Sequence, residues 1–157
     1  HVSLAEQISS HTFDRFYRAI SLGHLKEECG RIDKPIGRHP VDRKKMAIVK
    51  DGRDAATNYK VLSPLDGADY IELKLETGRT HQIRVQFASR GHTLLGDGKY
   101  GRERDNKAYG RKGQALWSYK LSFEFTTDAG ILNGLNGKSW TVKQVDFVEE
   151  YFPGTKI

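Results

Sequence analysis

Hydrophobic and polar positions alternate most cleanly in Tyr70-Ile-Glu-Leu-Lys-Leu-Glu, with Ile71, Leu73 and Leu75 on one face. That period of two predicts a half-buried strand. Phe13-Asp-Arg-Phe-Tyr-Arg-Ala-Ile, rich in aromatics and closed by Gly23, predicts another. Short strands are expected at about 46–50 and 56–63, separated by the turn signal Asp51-Gly52. The run from Ala115 to Phe125 reads as a long strand, and Trp140 to Val148 as a further one. Ser3 stands three residues before Glu6, a capping-box pattern that predicts a short helix over about 3–11. After Gly78 the period changes: Thr80 is placed to cap a helix reaching about Arg90, with Ile83 and Phe87 on its buried side. Residues 30–45, with Pro35, Gly37 and Pro40, and residues 91–113, with Asp97 near their centre, read as basic loops. Strands outnumber helices and the helices interrupt them, so the expected class is α+β, a mainly antiparallel sheet with few helices.

No repeat, low-complexity tract or linker divides the sequence, and 157 residues suit a single piece. Hydrophobic residues at 37% are enough for a folded chain. The apolar runs are a few residues long, far short of the ~20 that span a bilayer, so no membrane partner is expected. Cys29 is the one cysteine, which leaves no intrachain disulfide and points to a reducing, cytoplasmic setting.

Charge sharpens the picture. The net charge is +6, and it is concentrated. Residues 31–60 hold nine basic and four acidic side chains, and residues 71–112 hold ten and five, a net +5 in each. Joined by the fold, they make one cationic face suited to a phosphate backbone; kept apart, they are two solvated loops. The histidines lack metal-ligand spacing, no Gly-x-Ser-x-Gly elbow occurs, and the glycines around Gly96 lack the Lys-Ser/Thr of a phosphate loop. No metal is expected.

Two stretches carry candidate chemistry. In Thr77-Gly-Arg-Thr-His-Gln-Ile-Arg a strand ends, Gly78 turns, and a helix opens with Arg79, His81, Gln82 and Arg84 around its first turn. Backbone donors and guanidinium groups there suit an anion, and Arg84 can hold a carboxylate bidentately. The plainer alternative is a surface helix whose arginines only solvate it. Pro35-Ile-Gly-Arg-His-Pro-Val-Asp-Arg-Lys-Lys-Met is a stiff loop presenting Arg38, His39, Arg43, Lys44 and Lys45, suited to an RNA backbone or else an ordinary charged hairpin.

In this order, Phe16-Tyr17-Arg18-Ala19, Pro35-Ile-Gly-Arg-His-Pro, Thr77 to Arg84, Gly96-Asp97 and Tyr100-Gly101 resemble the RluA-type family of RNA pseudouridine synthases. Gln114-Ala-Leu-Trp resembles that family's next strand, and the likeness runs from about residue 4 to 125. The resemblance implies a pseudouridine synthase catalytic domain that works without a cofactor. A uridine of ribosomal or transfer RNA is flipped out and attacked by a catalytic Asp. The base then detaches, turns and is rejoined through carbon. It implies that Tyr17 packs on the flipped base and that Arg84 pairs with the catalytic Asp. Arg38, His39, Arg43, Lys44, Lys45, Arg79, His81 and Gln82 become the expected RNA contacts of a monomeric protein in the cytoplasm.

The sequence departs from the family in two places. The family's catalytic Asp, in a Gly-Arg-Leu-Asp stretch followed by Thr-Ser-Gly, stands before the Tyr segment, and nothing like it precedes Tyr17. Gly30-Arg-Ile-Asp33 has the look of it but follows Tyr17 and runs into Lys-Pro-Ile-Gly, so Asp33 is not the nucleophile. The chain, which opens at His1, is therefore expected to be the C-terminal portion of the catalytic domain, inactive alone. In addition, Thr126 to Lys138 lacks the His-Pro-x-Thr-Gly-Glu turn frequent in the family. Two alternatives stand beside this reading: a non-catalytic RNA-binding module of the same fold, and an enzyme using Arg79 and Arg84 on a small phosphorylated substrate.

Overall fold

A computed structural model describes residues 13–124, 130–142 and 150–154. The expected helix over 3–11 lies outside them, as does most of the strand expected over 140–148. Eight strands appear in chain order: β1 (Phe13–Leu22), β2 (Cys29–Asp33), β3 (Ile36–Arg38), β4 (Met46–Ile48), β5 (Ala56–Leu65), β6 (Ala68–Leu75), β7 (Leu116–Phe123) and β8 (Ser139–Thr141). Two helices, α1 (Gln82–Ser89) and α2 (Glu103–Tyr109), lie between β6 and β7. A six-stranded antiparallel sheet runs β2-β5-β6-β1-β7-β8, and β3 and β4 form a separate two-stranded hairpin. The α+β, mainly antiparallel class is what the alternation pattern implied.

Three local differences have physical causes. Asp51-Gly52 does turn between β4 and β5, with the Gly52 N–H on the Val49 carbonyl at 3.0 Å, but the two strands do not pair as a hairpin; β5 pairs with β2 and β6, and its hairpin with β6 turns at Asp66-Gly67. Gly52 also serves a close approach, since a Cβ there would stand 2.6 Å from the Ile36 carbonyl carbon. The basic stretch 30–45 contains β2 and β3, and the loop 91–113 contains α2, whose polar face hides its period. The α1 helix starts later than expected: Thr80 does not cap it, and His81 occupies the N-cap position in left-handed conformation at φ 55°.

Alternation along β1 and β6 sends side chains to both sides of the sheet. On one side Ala19, Tyr59, Ile71 and Leu73 pack with Ile83 and Phe87 of α1, and Tyr17 borders this cluster. On the other, Ile20, Leu65 and Tyr70 pack with Leu95 and Phe152. Val85, elsewhere on α1, packs with Ile36 and Ala55, so the same helix also carries the β3–β4 hairpin. A short helix thereby fixes the hairpin with its basic loop relative to the sheet.

Candidate nucleic-acid interface and active-site arginine

The site grows from the start of α1. Arg84 donates from Nε to Asp97 Oδ2 at 2.8 Å and from Nη2 to Asp97 Oδ1 at 2.9 Å, a bidentate pair in which Asp97 is fully buried. Asp97 Oδ1 also accepts the backbone N–H groups of Lys99 (2.9 Å) and Tyr100 (3.0 Å). Burial pushes the Asp97 carboxyl up, but the bonds from Arg84, Tyr100 and Lys99 outweigh it and hold the group below the ordinary aspartate range. Arg84 is raised in turn, chiefly by its bond to Asp97. The carboxylate that this arginine holds within the chain is therefore Asp97. Its Nη1 donates to none of the described residues, and its guanidinium lies 5.1 Å from the Tyr100 ring centroid.

Tyr100 links this pair to the hairpin. Its hydroxyl accepts the Met46 N–H at 3.0 Å and lies 2.8 Å from His81 Nδ1. Lys99 Nζ donates to the Lys44 carbonyl at 2.9 Å. The two basic segments of the sequence thus meet directly, as the single cationic face rather than two separate loops. His81 sits among these cations. Desolvation lowers its pKa first, with Arg84 and Lys99 adding to the effect, so the ring stays neutral below the usual histidine range. Its positive φ is the one such case for a non-glycine residue among those described.

The loop 39–45 is braced from within. His39 Nδ1 accepts the N–H groups of Val41 (3.2 Å) and Asp42 (3.0 Å), and Asp42 Oδ1 accepts the Lys44 N–H at 3.1 Å. The His39 N–H reaches the Lys45 carbonyl, and the Arg38 guanidinium reaches the Arg43 carbonyl. Arg38, Arg43 and Lys44 are exposed, while His39 and Lys45 are half-buried. A loop ordered before binding loses less entropy when it meets a ligand.

Gln82 is placed differently from the expectation. It is buried, its amide nitrogen donates to the Ala56 carbonyl and Thr57 Oγ1, and its Oε1 accepts from Thr77 Oγ1 and the Arg79 N–H. With both ends of the amide occupied, it positions the 77–82 turn rather than reaching RNA. Gln86, one turn on, is likewise buried and donates to the carbonyls of Ile32 and Ala55. The sequence offered no sign that two glutamines line the buried face of α1, because only the neighbouring strand edges supply their partners. Arg79 is half-buried and held by Nε on the Asp54 carbonyl at 2.8 Å.

Tyr17 is half-buried on β1, in the cluster that includes Ile83, the residue before Arg84. Its hydroxyl bonds to none of the described residues. The pairing of β1 with β7 shifts register at Phe16/Tyr17, a bulge of the kind that re-aims side chains near functional sites. Asp33 is exposed on β2 and ion-paired to Arg31 at 2.6 Å, away from these groups in the sheet order. Among the described residues no His, Cys, Asp or Glu cluster could hold a metal ion.

An antiparallel sheet carrying a helix whose first turn holds a bidentate arginine, beside a braced cationic loop, is an arrangement suited to an anionic ligand. The sequence profile of the RNA pseudouridylate synthase family matches residues 1–89, and the chain belongs to that family. It is 43% identical over 152 residues to ribosomal large subunit pseudouridine synthase D of Zymomonas mobilis, covering 96% of this chain and 45% of that protein. The protein of the same name from Nitrosomonas europaea is 48% identical over 99 residues, 63% of this chain and 28% of its own length. The chain spans less than half the length of these relatives. The solved structure of human RNA pseudouridylate synthase domain containing 1 shares the fold, with a TM-score of 0.70 at 22% identity over 98% of this chain and 71% of that one.

Two outcomes follow for the site. Asp97→Ala should destabilise the chain by about 3–5 kcal/mol in denaturant unfolding, because it leaves Arg84 without its buried partner. The imidazole of His81, followed by NMR, should titrate below 6.5. Since the unfolded chain then binds the proton more readily, stability should fall as pH drops through the ordinary histidine range, and His81→Asn should flatten that fall.

Proposed function

We propose that this chain is the RNA-docking and arginine-bearing portion of a pseudouridine synthase that isomerises uridines in structured RNA, ribosomal or transfer. The observation that carries the reading is the Arg84–Asp97 pair set at the start of α1 beside the braced loop 39–45, in a chain of this family. The names of the relatives support a ribosomal substrate.

In this reading Arg84, with Nη1 free of the described residues, orients and keeps ionised a nucleophilic Asp supplied from elsewhere in the full-length enzyme. An opposite charge within a few ångströms lowers a carboxylate pKa by roughly 1–3 units. Tyr17 stacks on the flipped uracil, a contact worth ~1–3 kcal/mol per base. Arg38, Arg43, Lys44, Lys45 and Arg79 hold phosphates, and the neutral His81 donates or accepts a hydrogen bond without adding charge. No cofactor is needed, and the protein works as a monomer in the cytoplasm.

The 157-residue chain incubated with uridine-labelled ribosomal RNA should bind it without forming pseudouridine, since none of its segments matches the family's Asp stretch; product formation would overturn that part. In the full-length enzyme, Arg84→Ala should collapse turnover with little loss of RNA affinity. Lys44→Ala should instead weaken binding and reduce the salt slope by about 1. Equal losses of affinity in both variants would make Arg84 a phosphate contact only.

A further inference from the structure

Most arginines near carboxylates are matched by them: Arg18 by Glu72, Arg31 by Asp33 and Glu76, Arg84 by Asp97, and Arg111 by Glu150. Arg38, Arg53 and Arg79 form no ion pair among the described residues, yet all three line one cleft of about 470 Å³ between the β3–β4 hairpin and the turn at Gly78. Asp51 also lines it, but pairs with none of them.

The three side chains are held to different degrees. Arg38 and Arg79 each spend one nitrogen on a carbonyl, of Arg43 at 3.4 Å and Asp54 at 2.8 Å. These bonds aim the guanidinium groups and leave further N–H donors for a ligand. Arg53 exchanges two backbone bonds of 2.9 Å with Ile36, so its base is fixed, while its side chain bonds to none of the described residues. Arg15 brings a fourth cation to the edge of the cleft: a Cβ at Gly78 would stand 2.5 Å from its Nη1. Gly37, Gly52 and Gly78 also line the cleft.

Three guanidinium groups share the cleft with one carboxylate, that of Asp51, and an anion seated among them offsets the remaining repulsion. Several guanidinium forks around one cleft match the non-bridging oxygens of a phosphate. The Arg38 bond to the Arg43 carbonyl joins the cleft to the exposed cations Arg43 and Lys44. A small phosphate ester would engage the cleft alone; a polynucleotide would continue from the cleft along that loop.

We propose that this cleft binds a backbone phosphate of RNA, with Arg53 as the cation that completes the site. The proposal takes its ligand from the RNA-modifying reading above. The test is anisotropy of a labelled ribosomal RNA fragment with the 157-residue chain across a salt series. Arg53→Ala should weaken binding about tenfold at low salt and lower the slope of log K against log salt by about 1. Lys60→Ala, which removes an equal charge from an exposed position outside the cleft, should change the slope far less if the site is specific. Circular dichroism on each variant separates unfolding from lost contact, and Arg53→Lys should recover part of the slope. Unchanged RNA affinity and slope in folded Arg53→Ala would overturn the proposal. So would an Arg53-dependent affinity for inorganic phosphate without an effect on RNA, which would assign the cleft to a small ligand. An Arg53 effect on RNA binding in a full-length protein that forms no pseudouridine would sustain the cleft and sink the synthase reading alone.

Discussion

The buried pair of Arg84 and Asp97 is the interaction on which the rest of the site depends. Two guanidinium N–H groups and two backbone N–H groups converge on one carboxylate, and a buried charge satisfied from so many directions holds its geometry. The backbone of Asp97 continues the knot: its carbonyl accepts from Gly101 at 2.9 Å and from Asn106 Nδ2 at 3.0 Å. Asn106 Oδ1 accepts in turn from the Gly96 N–H at 2.9 Å. Helix α1, the turn 96–101 and helix α2 are therefore locked through one residue. Tyr100, positioned by that turn, extends the lock to β4 and to His81.

This arrangement sets the charge of the groups around it. The arginine at the start of α1 is kept ionised and aimed, with one nitrogen to spare, while the nearby histidine is kept neutral by burial and by the same cations. The positive charge around His81 is thus chiefly that of Arg84 and Lys99, whose state does not change near neutral pH. Near neutral pH His81 therefore adds no charge to the cations around it.

The strands were legible because alternation is a local property. Ile71, Leu73 and the aromatics of β1 declare which face is buried without knowledge of any neighbour, and Ile83 with Phe87 do the same for α1. The elements that escaped notice are those held by partners distant in sequence. Strands β2 and β3 are short and charged, and α2 is mostly charged, with Asn106 as its buried residue. The glutamines of α1 look exposed until the Ile32, Ala55 and Ala56 carbonyls are placed beside them. Asp51-Gly52 has the composition of a hairpin turn, but the backbone of Ile36 claims the space over Gly52.

For the site, the residue types in order along the chain carried the resemblance to the family: an arginine after a strand-turn-helix junction, a tyrosine on an earlier strand, and cations in two blocks. Charge and hydrogen-bonding capacity are carried by each side chain wherever it lies. Only the tertiary structure decided which of these groups meet. It paired Arg84 with Asp97, drew Gln82 into the interior, joined the two basic blocks through Tyr100 and Lys99, and gathered Arg38, Arg53 and Arg79 around one cleft. Pairing depends on distances of a few ångströms between residues up to dozens of positions apart, and local periodicity holds no record of those distances.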